Sequence, residues 1–157
     1  MSFSDLLKRI ASAVENGDGE ALAACFTENG TYHDYVYGMF QGREAIIDMV
    51  ENYFNRDAEA YKWEMIDPVS DGKIGYATYR FSFTSTMPIS SGKRVVLEGI
   101  GRFELGEGGL VAHYSESANG GIAMSQLGIP PEKMAQVYAR LADKTRAKKE
   151  FQSHLDI

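Results

Sequence analysis

Apolar residues recur at intervals of three and four through the first third of the chain and at intervals of two through its middle, so the pattern predicts helices followed by strands. Phe3, Leu6, Leu7, Ile10 and Val14 make one helical stripe, which Asn16-Gly17 stops. Asp18 caps a second short helix holding Leu22, Cys25 and Phe26, closed by Asn29-Gly30. A short strand around Tyr32 to Asp34 then ends in glycines, and Gly42 introduces a third helix, Arg43 to Phe54, with Ile46, Ile47, Val50 and Tyr53 along it. From Tyr61 the period becomes two: Tyr61, Trp63 and Met65 alternate with Lys62 and Glu64. A turn at Asp71-Gly72 leads into a strand from Ile74 to about Met87. The loop Pro88–Gly92 returns it as Arg94 to Leu105, and Glu107-Gly108-Gly109 turns the chain into Leu110 to Ala118. Helix resumes from Gly120 to Leu127, stopped by Gly128. Pro130-Pro131-Glu132 opens a last helix with Met134, Val137, Tyr138 and Leu141 on one stripe, and Gln152 to Ile157 reads as a frayed end. Helices followed by an antiparallel meander give the α+β class.

Composition narrows the function. A chain of 157 residues, 44% apolar and 24% charged, is sized for one core that buries roughly 68–70% of its unfolded surface. A net charge of −6 and the lack of a basic face interleaved with aromatics argue against a nucleic-acid partner. The one basic run, Lys144 to Lys149, suits a solvated helix end. Cys25 is the single cysteine and sits on an apolar stripe, so it reads as core. His33, His113 and His154 are too scattered for a metal site, and none is expected. No leader pattern and no long apolar run is present, so a cytoplasmic protein with no membrane contact is expected.

Strand alternation distributes the candidate chemistry. Tyr32 and Asp34 share a face, a phenol and a carboxylate able to hold or deprotonate a small polar molecule. On Arg94–Leu105 the face Val95, Leu97, Gly99, Gly101, Phe103 must look inward, and its two glycines leave room that favours a cavity. On the last strand Tyr114, Glu116 and Ala118 share a face; if it is inward, Glu116 is a buried carboxylate whose pKa burial raises and a nearby arginine lowers. Ile74–Met87 admits two registers. Burial of Tyr79, Phe81, Phe83 and Met87 turns Arg80 and Ser82 to water. The reverse brings Arg80 and Ser82 into the cavity and leaves an aromatic outer face for a homodimer to cover.

Several segments resemble the NTF2-like superfamily, in its SnoaL-like branch: Phe26 to Asp34 (FTENGTYHD), Gly42 to Ile46 (GREAI), Gly99 to Leu105 (GIGRFEL) and Asn119 to Gly128. The resemblance spans about Leu6 to Gly128. It implies a cystatin-like cone, a curved antiparallel sheet capped by N-terminal helices, with the helix after Pro130 as an addition; the division is 1–130 for the domain and 131–157 for a C-terminal helical extension packed on it. The superfamily includes epoxide hydrolases, polyketide cyclases, dehydratases, ketosteroid isomerases and non-catalytic binders. Limonene-epoxide hydrolases carry Tyr-x-Asn on the early strand, Arg-x-Asp on the long strand and an Asp on the last. Tyr32 matches the tyrosine, Asp34 replaces the asparagine, Arg80 and Ser82 fall at the Arg-x-Asp, and Glu116 falls near the last aspartate. A serine hydroxyl cannot replace a carboxylic acid as proton donor, so that mechanism fits poorly.

Three functions are open at this point. The leading one is a cofactor-free enzyme moving a proton on a small apolar organic molecule, as an isomerase, dehydratase or cyclase does. Its catalytic candidates are Tyr32, Asp34, Arg80 and Glu116, and its substrate-binding candidates are Trp63, Ser82, Leu97, Gly99, Phe103, Tyr114 and Asn119. The second is a non-catalytic binder with the same cavity, in which Asp34 stays paired with Arg80. The third is a protein-interaction module using the aromatic sheet face. A homodimer is expected in the leading case.

Overall fold

A computed structural model describes residues Met1 to Asp156 and has mixed α+β architecture. Six strands form one open, curved sheet in the order β2-β1-β6-β5-β4-β3. They are β1 (Phe26–Asp34), β2 (Gly38–Gln41), β3 (Ala58–Ser70), β4 (Ile74–Ser85), β5 (Arg94–Leu105) and β6 (Val111–Ala118). The helices are α1 (Phe3–Glu15), α2 (Gly19–Ala23), α3 (Arg43–Asp48), α4 (Asn55–Asp57), α5 (Gly120–Leu127) and α6 (Pro131–Arg146). Between α3 and α4 the chain is π-helical over Met49–Phe54, and a 3-10 turn spans Lys149–His154. The read helix from Arg43 to Phe54 is thus present, its second half wound more loosely.

Local chemistry explains the boundaries. Ser2 and Asp18 cap α1 and α2 by accepting hydrogen bonds from the Asp5 and Ala21 amides. The second helix is shorter than its apolar spacing predicts: it ends at Ala23, and Phe26 opens β1. Phe26 pairs beside Val111 and is fully buried there, so sheet contacts outweigh local helical period. The glycine-bounded segment after Asp34 is also more than a strand end. Gly38 to Gln41 folds back on Thr31 to Asp34 as β2.

The meander β3-β4-β5-β6 is antiparallel throughout, as its alternation predicts, and β1 joins it by a parallel pairing with β6. The sheet bends where β3 carries irregular pairing between Glu59 and Lys62 and between Ile66 and Val69. Ala60 and Asp67 sit at these points with φ of 52° and 50°, left-handed conformations that bulges place in a strand. Against the concave side pack Leu6, Leu7, Ile10, Ala11 and Val14 of α1, with Ile46, Met49, Val50 and Phe54 behind β1. Phe3 meets Phe103 edge-on at 5.5 Å and covers Gly75. Burial of Cys25 within this core agrees with its place on the α2 stripe.

Side chains from the helices pair with the sheet backbone at two places along its edges. Glu15, at the end of α1, accepts the Trp63 amide at 2.7 Å on edge strand β3. Where β5 extends beyond the reach of β6, the Gln126 side chain of α5 both accepts the Val96 amide (3.0 Å) and donates to the Val96 carbonyl (2.8 Å). The added helix α6 is different. Among its residues none is buried, and only Met134 and Val137 reach half-burial. No helix among the described residues is long and apolar enough to cross a membrane.

Candidate active site

The register of β4 decides which side chains share the concave face. Tyr79 is 2% exposed and Phe81 and Phe83 are half-buried, stacked or tilted against Tyr61 at 5.8 and 6.2 Å. Arg80 points outward with its side chain 72% exposed, 3.9 Å from Glu64. Ser82 also faces out, accepting a hydrogen bond from Arg94 at 2.6 Å. The register that brings Arg80 and Ser82 into the cavity is therefore overturned. Three adjacent aromatics bury far more apolar surface inward than an arginine and a serine would.

Their inward turn assembles a different site. Tyr79 lies directly across from Gly99 in the β4–β5 pairing, and a Cβ on Gly99 would stand 2.5 Å from the Tyr79 hydroxyl. The glycine therefore leaves room for a phenol rather than for a void. Gly101 does the same for the rings of Phe103 and Tyr114, 3.0 and 3.1 Å from where its Cβ would be. Passing over Gly99, the Tyr79 hydroxyl donates to Glu116 Oε2 at 2.6 Å, and Tyr114 donates to the same oxygen at 3.2 Å. The Tyr35 amide donates to Oε1 at 3.3 Å.

Asp34 ends β1 and is 8% exposed. Its Oδ1 accepts the Val36 and Tyr37 amides at 2.7 and 2.8 Å, forming a turn that brings Tyr35 over Glu116. Tyr32, two residues back on the same face, is buried with its ring 4.6 Å from that of Tyr114. Trp63 completes the wall, edge-on to Tyr79, Phe81 and Tyr114. Its indole Nε1 is buried without a hydrogen-bond partner among the described residues. At the outer rim Tyr37 donates to Asp57 at 2.6 Å, and Asp57 is ion-paired with Arg56 at 2.7 Å.

The two inner acids sit in low-dielectric surroundings. Burial is the main cause raising both carboxyls above their ordinary range; backbone amides offset it at Asp34, and the Tyr79, Tyr35 and Tyr114 donors offset it at Glu116. The two carboxyls also repel one another when both are charged, which works against the second ionisation of the pair. Burial is the main cause raising the phenols of Tyr32, Tyr79 and Tyr114, and the Glu116 charge adds to it at each. None of the ion pairs among the described residues involves Asp34 or Glu116. Two neighbouring acids, both raised by burial and neither in an ion pair, make an arrangement suited to general acid–base work.

Of the residues singled out in the sequence, Tyr32, Asp34, Trp63, Tyr114 and Glu116 come together, with Leu97 half-buried on the same face. Phe103 lies in the deep core against Phe3 and Tyr114, Gly99 underlies Tyr79, and Asn119 is exposed as the cap of α5, accepting the Gly121 amide at 3.1 Å. Arg80 and Ser82 lie on the opposite side of the sheet, where with Val96 and Ile122 they border a shallow depression. Tyr79 was not among the candidates, although its alternation with Phe81 and Phe83 is the signal of a buried face.

A family model of the SnoaL-like domain matches residues 7–114. Among solved structures, the fold is similar to a ketosteroid isomerase-like protein from Catenulispora acidiphila solved with trimethylamine (TM-score 0.72, 15% identity, covering 82% of this chain and 96% of that one). It is also similar to a candidate polyketide cyclase from Xanthomonas campestris (0.64, 20%, 79% and 95%). A third likeness is to an LEH-like epoxide hydrolase of M. tuberculosis (0.64, 13%, 78% and 86%). At these identities the likeness is one of fold, and it agrees with the NTF2-like resemblance of the sequence. No curated protein sequence matches the chain.

Proposed function

The chain belongs to the SnoaL-like domain family, a family of small-molecule enzyme type, and from that premise we propose that it is a cofactor-free enzyme moving a proton on a small, uncharged apolar substrate bound against the concave face. The supporting observation is the Asp34–Glu116 pair, a buried and a half-buried carboxyl in unlike settings, Asp34 held by backbone amides and Glu116 by the Tyr79 and Tyr114 hydroxyls. Asp34, ionised, takes the proton from carbon or oxygen. Glu116, protonated, returns one, while Tyr79 holds its position. An anionic substrate would meet two carboxyls that no Lys or Arg pairs, so the site favours neutral molecules. Isomerisation, dehydration and cyclisation next to a carbonyl can all run on an acid and a base so placed. Epoxide opening by the Arg-x-Asp route lacks its arginine here, because Arg80 is on the outer face.

The test is proton exchange in D2O with a panel of small cyclic ketones and epoxides, followed by NMR. Deuterium is expected next to the carbonyl, and Asp34→Asn or Glu116→Gln should slow its entry by about 10²- to 10⁴-fold, the range that general acid–base groups contribute. Saturable quenching of Trp63, the single tryptophan, without any exchange would support the binder reading instead. Diol formation from an epoxide would support hydrolysis.

A further inference from the structure

The family match stops at residue 114, before α5 and α6 begin, yet α6 reaches the site. Its Tyr138 hydroxyl rests on Gly121, so closely that a Cβ there would stand 2.8 Å from it. Beside it the Tyr35 ring presses on Gly120, where a Cβ would collide with Tyr35 Cε1. The two phenols adjoin: partial burial and Tyr35 together raise the Tyr138 hydroxyl from its ordinary value. The consecutive glycines at the start of α5 thus form a smooth seat for two tyrosines, one from the turn after Asp34 and one from the appended helix. Tyr35 is also the residue whose amide donates to Glu116, in the turn whose next two amides hold Asp34.

We infer that Tyr138 is a positioning residue: through Tyr35 it fixes the 35–37 turn, and thereby the amides that hold both acids of the site. The inference rests on the proposed acid pair for its functional meaning, but its geometry does not depend on any substrate. Along α6 no residue is buried; Met134 and Val137 are half-buried and Tyr138 is 37% exposed. Of these side chains Tyr138 is the one that meets the glycine seat beside Tyr35, and losing it frees the turn while the sheet stays intact.

Amide hydrogen exchange on the full chain tests this without a ligand. Tyr138→Ala should speed exchange at Tyr35, Val36 and Tyr37 by about tenfold, the equivalent of one net hydrogen bond, and leave the β4–β5 amides unchanged. Gly121→Ala, which keeps the helix and displaces the Tyr138 hydroxyl, should reproduce the effect in milder form. It also serves if Tyr138→Ala fails to fold. Carboxyl ¹³C titration adds a readout that simple loosening of α6 would not move: Glu116, faced by Asp34, Tyr35, Tyr79 and Tyr114, should titrate at higher pH once the Tyr35 donor is lost. Arg140→Ala, exposed on the same helix and, among the described residues, bonded only to the Gln136 carbonyl, should change neither. Unchanged exchange at 35–37 in both variants, or an unmoved Glu116 midpoint, would overturn the inference. Loss of deuterium transfer in the wild type would sink the catalytic reading and leave this one standing.

Discussion

At the scale of single residues, the site depends on a carboxyl the fold would rather keep neutral. Glu116 and Asp34 are both raised by burial, so the folded state holds protons that the unfolded chain has already released. Their contribution to stability is fully present below the ordinary carboxylate range and is lost as pH rises through the raised folded values. Stability measured by denaturant midpoint should fall over that window, and Glu116→Gln should flatten the fall by removing one titrating group. A curve that rises through the same window would contradict the burial described. Gly99→Ala tests the Tyr79 seat: its Cβ would crowd both the phenol and the Ser117 carbonyl at 2.6 Å, and overpacking of this kind costs about 1–3 kcal/mol in thermal or chemical denaturation. Arg80→Ala should be nearly silent, within about 0.5 kcal/mol, because its pair with Glu64 is long and solvent-exposed.

Elements were legible in proportion to how far local pattern alone determines them. β5 emerges with the limits its alternation predicts, and α5 begins and ends where Gly120 and Gly128 place it. What local pattern missed lies in pairings between distant segments. Phe26 continues an apolar helical spacing but is claimed by Val111, and the short β2 has no repeat long enough to announce it. The same limit governs the site. Tyr32, Asp34 and Glu116 were readable from alternation, whereas the register of β4 turned on comparing two burials, and Tyr79 was lost with it. The frayed end read from Gln152 to Ile157 contains a 3-10 turn to His154 that is exposed throughout, and Ile157 lies outside the described residues. At this scale Gln126→Ala is informative. Stripping two hydrogen bonds from the Val96 backbone should cost about 1–3 kcal/mol in denaturation midpoint. It should also expose a β5 edge able to pair with other chains, visible as concentration-dependent light scattering.

For the molecule as a whole, turning Tyr79, Phe81 and Phe83 inward withdraws the aromatic patch on which the homodimer expectation rested. The outer face instead mixes Tyr76, Val96 and Ile100 with Arg80, Glu98 and Arg102. Phe81→Arg should therefore unfold the chain rather than dissociate it, since the charge would enter a wall of rings beside Tyr61 and Trp63. A soluble, cooperatively folded Phe81→Arg protein would restore the outward register. The parallel pairing of β1 with β6 has one more consequence, in time rather than space. Tyr32 on β1 is registered with Tyr114 on β6, more than half the chain away. Closing so long a loop is entropically slow, and during synthesis β1 has no partner on that side until the last strand has left the ribosome. The two acids, one at the end of each strand, meet only then. The paired-acid geometry is thus a property that no nascent or prematurely ended chain possesses.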